Sequence, residues 1–261
     1  MVVGFSLSAS LPKFMLAQDA RAPDLSKPLD VHQIDSFLAF HGDSSVTIYT
    51  SKVDVGTGLR MAISQMAAEE LGVPVENVSM IEGDTALVPD HGGTGGSTGV
   101  PRGDVDVRQA AATARQAILN LAATQLGRQA SELTIAGGIV RPTAGSSGVS
   151  IAKLVGGKRL NVAVDAKAPL KDPTTYTVVG KPLLRPDVPG KCTGKRAFVQ
   201  DHTLPNMLHG RVIRPPAMGA KLVSVDESSL RGIPDVRVVR LGNFFGVVAP
   251  DEWAAVRAAR E

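Results

Sequence analysis

The feature that most constrains this chain lies in residues 53–99, where two glycine-rich turns bracket one amphipathic run and one short apolar run. The first turn, VDVGTG over residues 53–58, leads from an extended segment directly into residues 59–71. There Leu59, Ala62, Ile63, Met66 and Ala67 follow the spacing of a helix packed on a sheet. A helix starting at that point aims unpaired backbone N–H groups and the positive end of its dipole at one spot, which suits an anion. The second turn, GGTGGSTG over residues 92–99, has five glycines in eight residues together with Thr94, Ser97 and Thr98. Such a turn lets the backbone approach a bulky ligand closely while hydroxyls donate hydrogen bonds. Together the two predict a grip on a phosphorylated cofactor. The plainer reading is that glycines and hydroxyls of this kind serve only as turns.

The rest of the chain supplies elements around this pair. Residues 34–40 and 46–50 read as a hairpin across the turn composition of residues 41–45. Gly72 and Pro74 stop the first helix, and residues 78–81 form a strand. A second helix starts near Asp104, with Val107, Ala110, Ala111, Ala114, Ile118, Leu121 and Ala122 on one face, and ends near Gly127. Gly137 and Gly138 sit between two β-branched runs in residues 133–140, a tight-hairpin pattern. This order implies an α+β fold with helices packed on a mixed sheet. Pro169, Pro173, Pro182, Pro186 and Pro189 then mark an irregular stretch, and the expected domain boundary falls near Val179. Beyond it, residues 195–200, 207–214, 222–226, 236–240 and 244–249 are strand-like. Residues 251–260 read as a helix begun by Asp251, with Trp253, Val256 and Arg257 on one face; it reads as cut rather than finished.

Composition narrows the function classes. A length of 261 residues suits two ordinary domains. With 43% hydrophobic but only 4% aromatic residues, aliphatic side chains must fill the core. A net charge of +3 from 28 basic and 25 acidic residues, without a basic block, argues against nucleic acid as a partner. Cys192, the single cysteine, excludes an internal disulfide and a cysteine-built metal site, and reads as a small hydrophobe. Residues 1–20 read as the apolar part of an export signal lacking its positive segment, or as an ordinary N-terminus, and residues 21–30 as a linker. Asp84, Asp90 and His91 invite a reading as paired acids with a base, but acids flanking glycine turns more often cap them. His209 reads as a packed or hydrogen-bonded core residue and not a ligand, and Arg211 and Arg214 as partners for acids at a domain contact, with no chemistry assigned to them.

Several motifs in one order carry a resemblance. VDVGTG at 53–58, QMAAEELGVP at 65–74, MIEGDTA at 80–86 and GGST at 95–98 resemble the molybdopterin-binding large subunit of the xanthine dehydrogenase and aldehyde oxidase family. The likeness is closer to its isoquinoline 1-oxidoreductase and nicotinate dehydrogenase branch. GKPLLRPDVPGKCTGK at 180–195 and LPNMLHGRVIRPP at 204–216 resemble the opening of that family's α/β hammerhead domain. The resemblance implies a signal remnant and linker over residues 1–29, part of the molybdopterin-binding domain over 30–179, and a C-terminally truncated hammerhead over 180–261.

It implies that Gly56, Thr57 and Gly58 approach the pterin, and that Gly96, Ser97 and Thr98 supply a second set of donors. Xanthine dehydrogenase members usually carry Gln where Thr57 stands, whereas the related branch tolerates Thr. The implied cofactor is molybdopterin, with the cytosine dinucleotide as one form. The implied reaction is hydroxylation of an N-heteroaromatic or aldehyde carbon with oxygen from water. The implied partners are a small two-iron two-sulfur subunit and a redox protein such as a cytochrome. The family's catalytic glutamate and a further glycine-rich loop fall outside these 261 residues, so no catalytic residue or metal ligand is assigned within them. The location implied is periplasmic or membrane-associated if a full export signal lies upstream, and cytoplasmic otherwise. The alternative is a truncated, non-catalytic binding or assembly module, and a nucleotide enzyme using residues 92–99 as a phosphate loop ranks last because no Lys closes that loop.

Overall fold

The structure, a computed structural model, describes residues 24–144 and 147–261. The expectation of an export signal falls on residues outside these. The chain divides into two compact units, residues 1–193 and 194–261.

In the first unit a short helix α1 (Ile34–Phe37) runs into β1 (Leu38–Phe40), which pairs antiparallel with β2 (Val46–Thr50). The expected hairpin is present, but only its last three residues on the first arm are strand. Asp35 explains the difference. Its carboxylate accepts the Leu160 amide at 2.9 Å and the Asn161 amide at 2.7 Å, which holds residues 34–37 in a helical turn. From β2 the chain passes through the first glycine turn into α2 (Leu59–Leu71), ends at Gly72 in the left-handed conformation, and returns as β3 (Val78–Glu82), parallel to β2. The register sets Thr50 beside Glu82. Both glycine turns therefore leave the same end of the sheet, the carboxyl end of two parallel strands, where open α/β sheets place ligands.

The helix α3 (Asp104–Leu126) also ends at a left-handed glycine, Gly127, as its sequence predicts. Val107, Ala110, Ala111, Ala114, Ile118 and Ala122 are buried in one core with Ile63, Ala67 and Leu71 of α2 and with Ile48 and Val78 of the sheet. Alanine on α3 lets the two helices approach closely. Leu121, expected on that face, is exposed. A second sheet, β4 (Leu133–Ala136), β5 (Ile139–Pro142) and β6 (Val149–Ser150), precedes a short helix α4 (Ile151–Val155). Gly137 and Gly138, at φ 60° and 75°, make the tight turn between β4 and β5.

The proline-rich stretch after residue 165 is not a free linker. Glu69 and Glu70 on α2, both buried, hold it by their carboxylates. Glu69 accepts the amides of Thr177, Val178 and Val179 at 2.9, 2.6 and 3.1 Å. Burial pushes its pKa up, but those amides outweigh burial and leave it below the ordinary value. Glu70 accepts the Lys171 amide and pairs with Arg108 Nε at 2.9 Å and Arg115 Nη1 at 2.7 Å. The unit consequently continues past the expected boundary at Val179, through α5 (Val188–Cys192), to Thr193. Cys192 at the end of α5 is exposed, not a packed hydrophobe. Near the other end, Lys27 Nζ is buried among the carbonyls of Ser36 and Leu87 at 2.9 and 2.7 Å and lies 4.4 Å from the Tyr49 ring centre; burial lowers its pKa to about 8.

The second unit is a three-stranded antiparallel sheet, β7 (His209–Val212), β9 (Phe244–Ala249) and β8 (Arg237–Leu241), with β9 central, and a helix α6 (Glu252–Ala258). Residues 195–200 and 222–226 form no strand, contrary to their composition. Asp251 caps α6 by accepting the Ala254 amide at 2.7 Å, as expected. The buried face of α6 is Ala254, Ala255 and Ala258 against Val247, Ala249 and Ile233, whereas Trp253 is 58% exposed. His209 is half-buried in β7, and Arg211 pairs with Glu252 at 2.7 Å inside this unit. No helix among the described residues is long and apolar enough to cross a membrane.

Candidate functional site

The first turn is closed by its own side chain. Gly56 and Gly58 take φ of 104° and 85°, conformations that glycine adopts without strain, and they curl the backbone around Asp54. Asp54 Oδ1 accepts the Gly56 amide at 2.8 Å and the Gly58 amide at 3.2 Å, and Oδ2 accepts the Arg60 amide at 3.2 Å. Burial pushes the Asp54 pKa up, but the three amides, aided by the Arg185 charge, bring it below the ordinary aspartate value. The expectation of unpaired amides at this helix start is corrected in part: a carboxylate holds the Gly56, Gly58 and Arg60 amides, while among the described residues the Leu59 amide has no partner. Arg185 reinforces the turn by donating Nη1 to the Gly56 carbonyl at 2.7 Å. Its other face is a two-point pair with Asp187, whose pKa that guanidinium holds far below the carboxylate range. Among the described residues, the Thr57 amide and hydroxyl remain unpaired, and Thr57 is exposed.

The second turn is open. Gly96 and Ser97 both lie in the left-handed region, at φ 56° and 58°, and both are exposed. Ser97 is a non-glycine residue in that region, a conformation the surrounding glycines help impose. Thr98 folds inward, its amide and hydroxyl donating to the Gly95 carbonyl at 3.1 and 2.6 Å. Among the described residues, the Gly96 and Ser97 amides and the Ser97 hydroxyl have no partner. The Thr94 hydroxyl is buried without one. At the far end, Gly99 packs on Leu59, the first residue of α2; a Cβ at Gly99 would sit 2.9 Å from Leu59 Cδ2. Leu59 adjoins Gly58 and Gly99 adjoins Thr98, so the six predicted residues are brought to one region of the first unit.

Two side chains support the second turn: Lys52, which sequence reading passed over, and His91, which it weighed as a base beside Asp84 and Asp90. Lys52 follows β2 directly, is only 4% exposed, and sends its ammonium to the Gly93 carbonyl at 3.0 Å. His91 is turned inward, edge-on to Phe37. Its Nε2 lies 3.2 Å from the Ser51 amide, which can only donate, so Nε2 is the acceptor and Nδ1 carries the hydrogen that goes to Asp106 at 3.1 Å. Burial lowers its pKa, Asp106 pulls the other way, and the net shift is downward, so the ring is neutral at pH 7. His91 is therefore a strut between β2 and α3. Asp84 and Asp90 accept the Ala86 and Gly92 amides at 2.9 and 3.0 Å, the capping role favoured from sequence. The signal for Asp54 was present two residues before Gly56, a spacing typical of Asx turns. For Lys52 there was none.

A family model described as the molybdopterin cofactor-binding domain matches residues 26–194. The chain belongs to the molybdopterin cofactor-binding domain family. It is 43% identical to a nicotinate dehydrogenase subunit of Pseudomonas putida over 86% of this chain and 20% of that protein. It is 26% identical to the β subunit of isoquinoline 1-oxidoreductase of Brevundimonas diminuta over 86% of this chain and 34% of that one. Among solved structures it is similar to reconstituted CO dehydrogenase from Oligotropha carboxidovorans, with TM-score 0.42 and 24% identity over 45% of this chain and 15% of that chain. The chain thus spans about a fifth to a third of the length of these two curated relatives.

Molybdopterin is anionic at its phosphate and carries a ring carbonyl, and the residues present fit it at the second turn. Two unpaired amides and a hydroxyl face outward there, a buried ammonium lies behind, and the glycines put no side chain in the way. The first turn offers less, since Asp54 occupies its amides.

Proposed function

We propose that this chain is the N-terminal part of a molybdenum hydroxylase large subunit, and that it forms one side of the cofactor cradle. The observation that carries the reading is the open second turn, with the Gly96 and Ser97 amides unpaired among the described residues, on a glycine backbone whose Gly93 carbonyl holds the Lys52 ammonium. Gly96, Ser97 and Thr98 form the main contact, with the Ser97 amide and hydroxyl donating and Thr98 fixing the turn from inside. Gly56, Thr57 and Gly58 form the second, in which Thr57 donates and Asp54 keeps the backbone curled. The Asp54 carboxylate repels a phosphate, so the phosphate or dinucleotide end belongs at the second turn. When bound, the cofactor supplies two-electron chemistry that moves oxygen from water to an electron-poor carbon. This chain's part is to bind and orient that group.

The names of the nicotinate and isoquinoline relatives support an N-heteroaromatic substrate over an aldehyde for the whole protein; the cytosine dinucleotide as cofactor form and a small iron–sulfur subunit as partner are proposed from the family resemblance alone. Residues 180–261 then open the hammerhead domain. To test the cradle, the chain is expressed in a host that makes the cofactor, and the pterin released by oxidation is measured by fluorescence against protein. Pterin is expected with the parent chain and lost on Ser97→Asp, which places a carboxylate on the donor face. Absence of pterin from the parent, or equal pterin in both, would overturn the reading.

A further inference from the structure

Lys52 has a placement that the cofactor reading does not explain by itself. Its stem runs under the second turn so closely that a Cβ on Gly103 would sit 2.6 Å from its Cγ and 3.1 Å from its Cδ, and one on Gly92 would sit 3.4 Å from its Nζ. Gly103 has φ −70° and ψ −37°, which any residue adopts, so its lack of a side chain answers to space rather than to backbone conformation. The ammonium has three hydrogens, and among the described residues its acceptor is the Gly93 carbonyl, with no carboxylate paired to it. A buried cation without a counter-charge is costly, and an anion nearby offsets that cost.

We infer that Lys52 is the positioning residue of the second turn: it clamps the Gly93 carbonyl inward, so that the Gly96 and Ser97 amides face outward, and its charge favours an anionic group on that outer face. The clamp follows from the peptide itself. Drawing the Gly93 carbonyl toward the ammonium fixes one peptide plane, and the glycines after it have the freedom to complete the reversal. His91 and Asp90 hold the preceding residues, and Lys52 acts on the Gly93 peptide, which among the described residues no carboxylate ties down. The charge half of this inference rests on the cofactor reading, whereas the clamp does not.

The test uses Lys52→Met, which keeps the stem and removes the ammonium, and Ser97→Asp as control. Hydrogen exchange is followed in peptides across residues 92–103, and binding of inorganic pyrophosphate is measured by calorimetry. Lys52→Met is expected to raise exchange in residues 92–103 while leaving β4 to β6 unchanged, and to weaken pyrophosphate about tenfold, a loss of about 1.4 kcal/mol. Unchanged exchange in residues 92–103 would overturn the clamp whether or not pyrophosphate binds. Pyrophosphate affinity lost in Ser97→Asp but kept in Lys52→Met would overturn the charge role alone. Failure of the parent chain to bind pyrophosphate, with exchange raised in Lys52→Met, would leave the clamp standing and overturn the anion role together with the phosphate assignment.

Discussion

The two glycine turns look alike as strings and differ as sites. Both leave the carboxyl end of neighbouring parallel strands, both use left-handed glycines, and both adjoin a long helix. In the first, Asp54 accepts three backbone amides and Arg185 closes over the Gly56 carbonyl, so most of the donors are spent inside the fold. In the second the polarity is inverted. A lysine lies beneath, its acceptor is a carbonyl, and the outward amides are left over. Glycine content makes close approach feasible, but the neighbouring charged side chain decides whether an anion is welcome.

The largest test removes what the turns share. Glu70→Ala leaves Arg108 and Arg115 without their common carboxylate between α2 and α3, and should cost about 3–5 kcal/mol, read as a shift in the urea midpoint. Both turns should then loosen together; loosening of one alone would show that the α2–α3 contact is not their common support. A smaller change separates them. Gly103→Ala pushes a methyl into the Lys52 stem and should cost about 1–3 kcal/mol, nearly all of it relieved in a Lys52→Ala background. An equal cost in both backgrounds would mean that the clash lies elsewhere.

The smallest effect belongs to the first turn. Asp54→Ala should cost about 1 kcal/mol as a lost cap, and it uncovers the amides of Gly56, Gly58 and Arg60. Sulfate should then raise the melting temperature of Asp54→Ala more than that of the parent, making the first turn behave like the second. The parent's own pH dependence tests the same carboxylate. The folded pKa of Asp54 lies below its ordinary value of 3.8. Its contribution is therefore complete above that value and is lost as pH falls through the folded pKa. As pH falls below about 3.8 the stability gap between parent and Asp54→Ala should narrow, read from melting temperatures across that range.

Much of the frame was legible from residues alone. Gly72 and Gly127 end their helices, Gly137 and Gly138 turn the hairpin, and Asp251 caps α6, because each acts over a few neighbouring residues through backbone geometry. Faces read less well. Trp253 was grouped with Val256 and Arg257 on one face of α6, and Leu121 with the apolar face of α3, yet the alanines beside them are buried, since helix spacing marks candidate faces and the neighbouring element selects among them. The boundary expected at Val179 passed through a segment that Glu69 and Glu70 tie down from more than 100 residues away.

For the candidate site the division is the same. The sequence by itself determined that two glycine-rich turns flank α2 and β3, and that hydroxyls stand in the second, because turn chemistry is local. Only the tertiary structure decided which turn is open. That outcome depends on where Asp54, Lys52, Arg185 and His91 send their polar atoms, and a buried charge takes its partner from whatever the fold brings near, not from its neighbours in the chain.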